Sequence, residues 1–200
     1  MKTSEKAKLK KVVSRFHRIK MLVIGDIMVD EYIWGSVTRI SPEAPIPVVE
    51  VKKDEFKPGG AANVMLNLAD LGAKVYAAGV VGADFNAHKL VGYIKKHKID
   101  TSAIIVDKVR PTTVKTRVIA HSQQVVRIDR EHNLPVSKDR MKTMIKKLKA
   151  IIKKVDGIIF SDYGKGVITR ELFEEVMEGA KGKVVTADPK PQNARLFRRV

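Results

Sequence analysis

Five short apolar runs, Met21–Gly25, Val75–Val81, Ala103–Val106, Gly157–Phe160 and Val184–Ala187, recur along the chain, mostly separated by segments with helical periodicity. This alternation is the strongest constraint on the fold. Strands joined through helices pair in parallel, and a parallel sheet covered on both faces reads as continuous apolar runs rather than as alternating ones. The intervening helices are expected at Ala61–Leu71, Phe85–His97, Lys138–Lys154 and Arg170–Gly179, several opened by Asn, Asp, Ser or Thr and closed by Gly or Asp. The expected class is therefore α/β: a mostly parallel sheet with helices on both faces.

Two stretches break the pattern. Ile46–Lys52, with its neighbours up to Phe56, and the pair Thr112–Ala120 and Gln124–Arg130 carry β-branched residues around short polar links, which suits antiparallel ribbon projecting from the main sheet. A small β-lid, with segments at about 36–57 and 111–131, is expected on one domain spanning 21–200. With 44% apolar residues among 200, the chain can bury a sizeable core. It has no cysteine, which leaves no disulfide framework or thiolate metal site. The apolar run Met21–Ile24 is far too short for a signal-peptide core or a membrane span. A cytoplasmic protein with no membrane partner is expected.

The formal net charge is +17, and 14 of those charges come from residues 1–20 and 138–154, each with eight Lys/Arg against one acid. Both segments read as amphipathic helices. Leu9, Val12, Val13, Phe16 and Ile19 share one face of the first, and Met141, Met144, Ile145, Leu148 and Ile152 lie in the second. Neither interleaves aromatic residues for base stacking, so solvated lysine faces are expected rather than a specific nucleic-acid site.

The residues suited to chemistry lie where apolar runs end. Gly25-Asp26-Ile27-Met28-Val29-Asp30 follows the first strand, placing Asp26 at its carboxyl end and Asp30 one short turn on, where open α/β sheets bind ligands. Ionised carboxylates accept hydrogen bonds from neighbouring sugar hydroxyls; a turn-capping Asp26 is the structural alternative. Pro58-Gly59-Gly60-Ala61-Ala62-Asn63 opens a helix, and paired glycines before free helical N–H groups admit an oxygen-rich ligand, as they also suit an ordinary loop-to-helix junction. Asp162, in Ser161-Asp162-Tyr163-Gly164-Lys165-Gly166, again ends a strand, and capping is its alternative.

Taken in order, GDIMVD, ISPEAP, PGGAANV, VGADF, QQVVRID, SDYGKG and ADPK resemble the ATP-dependent sugar kinases of the ribokinase/phosphofructokinase-B family. The resemblance spans Met21 to about Gln192 and implies a ribokinase-like fold whose lid closes over the sugar and pairs between subunits, suggesting a homodimer. RISPEAPIPVV, PGGAANV and SDYGKG are most similar to members that phosphorylate the anomeric hydroxyl of D-glycero-D-manno-heptose 7-phosphate, a step towards ADP-heptose for lipopolysaccharide core. The resemblance implies that Asp26, Asp30, Gly59, Gly60, Asn63 and Asp162 hold the sugar. The substrate's own phosphate would need cations, Arg39 and Arg117 first, with Lys115 and Arg127 nearby; surface ion pairing is the competing role. Lys190 would approach the phosphate-transfer region, or stand as a solvated loop lysine.

ATP and Mg2+ are the cofactors the resemblance implies. The family's Gly-Ala-Gly-Asp segment, which carries the catalytic base and the anion hole, and its Asn-x-x-Glu motif do not occur before Val200, and Gly164-Lys165-Gly166 lacks P-loop spacing. No catalytic or metal residue is therefore expected in this chain, which reads as the first two-thirds of the family domain, incomplete at its carboxyl end and inactive alone. Another sugar kinase of the family, a non-catalytic sugar-phosphate-binding protein and an anion- or nucleic-acid-binding protein using the basic helices are the other functional classes.

Overall fold

The computed structural model describes residues 3–198 and 200. A helix, α1 (Thr3–Val13), and a short 3-10 turn at Phe16–Arg18 precede strand β1 (Lys20–Gly25). One residue later the chain enters β2 (Ile27–Ile40), which returns as β3 (Pro47–Gly60) directly into α2 (Ala61–Asp70). Then follow β4 (Lys74–Gly82), α3 (Phe85–Lys96), β5 (Asp100–Asp107), the ribbon β6 (Thr113–Ala120) and β7 (Gln123–Arg130), α4 (Lys138–Ile152), β8 (Gly157–Ser161), α5 (Arg170–Gly179) and β9 (Val184–Asp188).

The main sheet has the order β5-β4-β1-β8-β9, with every pair parallel. Its central strand shows why two-sided burial reads as a continuous apolar run. In β1, Leu22 and Ile24 pack with α4 and α5 residues such as Leu148 and Leu172, while the intervening Val23 packs with Met65 of α2 and Leu90 of α3. All three strand residues are fully buried, each contributing about 1.5–3 kcal/mol relative to exposure. Connections run outward from β1 to β4 on one side and to β8 on the other, so β1 and β8 flank the point where strand order reverses, the usual ligand crevice of such sheets.

The lid is a second sheet, β3-β2-β6-β7, in which β2 pairs antiparallel with β3 and parallel with β6, and β6 pairs antiparallel with β7. Its β2 strand begins at Ile27, nine residues before the lid segment expected at about 36. The turn expected between Asp26 and Asp30 is instead extended strand, with Asp30 paired to Lys57 and Lys115.

The amino-terminal segment also differs from expectation. Its helix stops at Val13, and Leu9, Val12 and Val13 are more than half exposed; Met1 and Lys2 lie outside the described residues. The second basic helix, α4, buries Met141, Met144, Ile145, Leu148, Ile151 and Ile152 and turns its lysines outward. Among the described residues, no helix is long and apolar enough to cross a membrane.

Candidate functional site

A cleft of about 540 Å³ lies between the carboxyl ends of β1 and β8 and the inner face of the lid, lined by residues that include Asp30, Tyr32, Gly60, Asn63, Tyr163 and Lys190. The lid contributes alternate residues along paired strands. Cross-strand register sets Asp30 opposite Lys115, Tyr32 opposite Arg117, Arg117 opposite Arg127 and Lys115 opposite Asp129. Since side chains two apart share a face, this produces one charged surface. Six cations, Lys57, Lys115, Arg117, Arg127, Lys165 and Lys190, line the cleft beside the Asp30 carboxylate.

Each cation has a partner. The Arg117 guanidinium donates to Asp30 and lies 5.3 Å from the centre of the Tyr32 ring, with the Lys57 ammonium 5.2 Å from the same ring. The Asp30 hydrogen bond lifts Arg117 above its ordinary pKa, against partial burial. Arg127 forks onto Asp129 at 2.9 and 3.1 Å, Lys115 reaches Asp129 at 3.0 Å and Glu131 at 3.3 Å, and Lys165 reaches Glu131 at 2.8 Å. The Lys190 ammonium lies 5.3 Å from the Tyr163 ring centre.

The Gly-Gly pair earns its place by close approach. A Cβ on Gly59 would stand 2.1 Å from Asp30 Oδ2, and Gly60 adopts φ +55° where a Cβ would meet the Asp26 carbonyl at 2.4 Å. Gly60 and Asn63 border the cleft, while Gly59 lies beneath the Asp30 carboxylate.

Asp26 and Asp162, expected to face a sugar, are turned into the protein, with 2% and 4% exposure. Asp26 Oδ2 accepts from the backbone N–H groups of Tyr163 (2.7 Å) and Lys165 (3.1 Å), and Oδ1 from Val167 (3.3 Å). Burial nevertheless lifts its carboxyl above the ordinary value, opposed by the Lys165 and Tyr163 N–H groups and aided by the charge of Asp162. Asp162 accepts from the Gly164 N–H at 2.8 Å, the Lys190 N–H at 3.4 Å and the Asn193 amide at 2.8 Å. Both acids thus shape the loop that presents Tyr163 and Lys165. Arg39 is exposed near the far end of β2, nine residues from Asp30 and on the order of 30 Å along the strand, and it does not border the cleft.

Lys165, Lys57, Tyr32, Tyr163 and Glu131 were not singled out by sequence reasoning. For the lid residues the available signal was the two-residue spacing of Asp30 and Tyr32, Lys115 and Arg117, and Arg127 and Asp129, which becomes one surface only once strand register is known.

The pfkB family of carbohydrate kinases matches over residues 18–199. The chain belongs to that family. It is 47% identical over 180 residues to the bifunctional protein HldE of Desulfatibacillum aliphaticivorans, covering 89% of this chain and 37% of that protein, and 46% identical over 173 residues to its Helicobacter pylori counterpart, covering 86% and 37%. The chain therefore spans under two-fifths of the length of these curated relatives. In fold it is similar to the ribokinase of Arabidopsis thaliana complexed with ribose and ATP (TM-score 0.61, 15% identity, 85% of this chain and 53% of that one) and to the 2-dehydro-3-deoxygluconokinase of Thermotoga maritima (TM-score 0.64, 18% identity, 89% and 52%). These likenesses establish the ribokinase-like fold anticipated from the motif order.

Proposed function

We propose that these residues form the acceptor-binding half of an ATP-dependent kinase that phosphorylates the anomeric hydroxyl of D-glycero-D-manno-heptose 7-phosphate, on the route to ADP-heptose. The observation that carries this reading is the pairing of one cleft-facing carboxylate, Asp30, with the cations Lys115, Arg117, Arg127 and Lys165 around the same space. A carboxylate suits sugar hydroxyls, and a cluster of cations suits a sugar that already bears phosphate. The RISPEAPIPVV, PGGAANV and SDYGKG motifs, similar to those of heptose 7-phosphate kinases, support the choice of sugar.

In this reading Asp30 accepts from sugar hydroxyls, Gly60 and Asn63 border the ring, Arg117 and its neighbours balance the substrate phosphate, and the lid excludes water. MgATP would supply the transferred phosphoryl group. Among the described residues no three of His, Asp and Glu stand together as a metal site, and the sequence contains no Gly-Ala-Gly-Asp segment. In this reading the 200 residues recognise the sugar, and the Gly-Ala-Gly-Asp segment that would supply the base and anion hole is not among them. A cytoplasmic site of action and pairing of two lids in a homodimer belong to the same reading.

Calorimetric titration of the chain with heptose 7-phosphate, unphosphorylated heptose and ribose tests it. Heptose 7-phosphate should bind most tightly and lose affinity as salt rises. Equal or tighter binding of ribose would sink the substrate assignment.

A further inference from the structure

Glu131 follows β7 immediately, where the lid returns to the main domain. One carboxylate oxygen accepts from the Lys165 ammonium at 2.8 Å and from the Asn133 amide at 3.2 Å, and the other accepts from the Lys115 ammonium at 3.3 Å. The two lysines come from different layers. Lys115 stands on β6 of the lid, Lys165 stands on the loop after β8 of the main sheet, and both border the cleft. Both are 15% exposed at the side chain and Glu131 19%.

The backbone of Lys165 is held firmly, its N–H by Asp26 and its carbonyl by the Arg110 guanidinium at 3.2 Å. Its flexible four-carbon side chain is held at the tip by the Glu131 carboxylate. A lysine ammonium loses much rotamer freedom when fixed, so a pre-placed amine binds an anion better than a free one.

We propose that Glu131 is a positioning residue for anion recognition: by holding the Lys115 and Lys165 ammoniums at a set spacing, it joins the lid and the main-sheet loop into one anion seat. The inference rests on the sugar-phosphate reading above and adds a residue that does not itself touch the ligand. Each ammonium has three N–H groups, and Lys165 spends one on Glu131, which leaves donors for a bound phosphate oxygen.

The sign of one substitution separates this role from simple electrostatics. Glu131→Gln removes a negative charge near the cleft, so charge alone predicts tighter binding of inorganic phosphate. Positioning predicts weaker binding, by roughly ten- to a hundredfold, because Gln offers one acceptor oxygen where two amines need one each. The experiment is calorimetric titration of the 200-residue chain and its Glu131→Gln and Glu131→Asp variants with inorganic phosphate, with Asp expected to fall between. Hydrogen exchange on the unsubstituted chain supplies a measurement independent of any variant's folding: phosphate should slow exchange in both 113–120 and 163–167 together. Unchanged or tighter phosphate binding by Glu131→Gln, or protection confined to one segment, overturns the proposal while leaving the sugar-phosphate reading intact. If the unsubstituted chain binds neither inorganic phosphate nor heptose 7-phosphate, both fall.

Discussion

The Asp30 carboxylate rests against the bare Cα of Gly59, leaving 2.1 Å to the position a Cβ would occupy. Gly59 is itself held in the β2–β3 ladder opposite Met28, so the side chain of Asp30 is what must give way. Gly59→Ala should therefore turn Asp30 away from Arg117 and destabilise the fold by roughly 1–3 kcal/mol, the usual cost of overpacking. Urea unfolding measures the stability, and titration with heptose 7-phosphate measures the accompanying loss of sugar affinity.

Asp30→Asn keeps shape and removes charge. Sugar affinity should fall by roughly ten- to a hundredfold, the loss of a charge-assisted hydrogen bond of about 1.5–3 kcal/mol. Thermal unfolding should move little by comparison, since Arg117 keeps the Tyr32 face beside it. A variant that binds the sugar as well as the parent would remove Asp30 from the acceptor site.

Asp26 and Asp84 should respond to pH in opposite senses. Asp84 caps α3 and ties it to the lid through the Thr112 N–H and hydroxyl. Burial pushes its carboxyl up, but the N–H groups of Thr112 and Ala87, the Thr112 hydroxyl and the charge of Arg130 together bring it below the ordinary 3.8. Its contribution to stability is present above 3.8 and is lost as pH falls through the lower folded value. Asp26 lies above 3.8 when folded, so its contribution is complete below 3.8 and is lost as pH rises through the folded value. Urea unfolding between about pH 3 and 7 should thus show the stability advantage of the parent over Asp84→Asn growing with pH, and its advantage over Asp26→Asn shrinking.

Runs buried on both faces, such as Leu22-Val23-Ile24, and helices with clear termini, such as Asp84 capping α3 through the Ala87 N–H, were legible because local pattern and burial coincide. β2 was not legible as one strand. Its inner face carries Asp30 and Tyr32 instead of apolar residues, so the period-two signal marks a binding surface rather than a core. The same limit applied to Asp26 and Asp162. A carboxylate at a strand's end can accept from a ligand or from its own loop, and the left-handed Gly164 and Gly166 (φ +69° and +81°) lie in the very loop whose N–H groups reach both acids. Arg39 lies outside this cleft because a 14-residue strand carries its far end away from Asp30.

The proposed pairing of two lids has an apolar surface available to it. Val126 and Ile128 alternate along the edge strand β7 with 46% and 57% exposure. Val126→Glu with Ile128→Lys should shift the chain to monomer in sedimentation velocity, while circular dichroism stays that of the parent. A dimer that survives both changes would move the contact elsewhere.

Only Asp26 separates β1 from β2, and nothing separates β3 from α2, where the Ala61 N–H donates to the Asp26 carbonyl at 3.0 Å. The other two attachments of the lid are longer, residues 108–112 before β6 and 131–137 before α4. The first is tied to the main domain at Thr112, through Asp84 and the Gly82 N–H, and the second to the first through the Arg110 guanidinium on the Leu134 carbonyl. The two short connections set one edge of the lid at Asp26 and Gly60. A tilt of the lid about that edge would move Asp30, four residues along β2 from Asp26, less than Arg127 on the far edge strand β7. The Asp30 carboxylate would then stay in place while the outer cations are carried away from it.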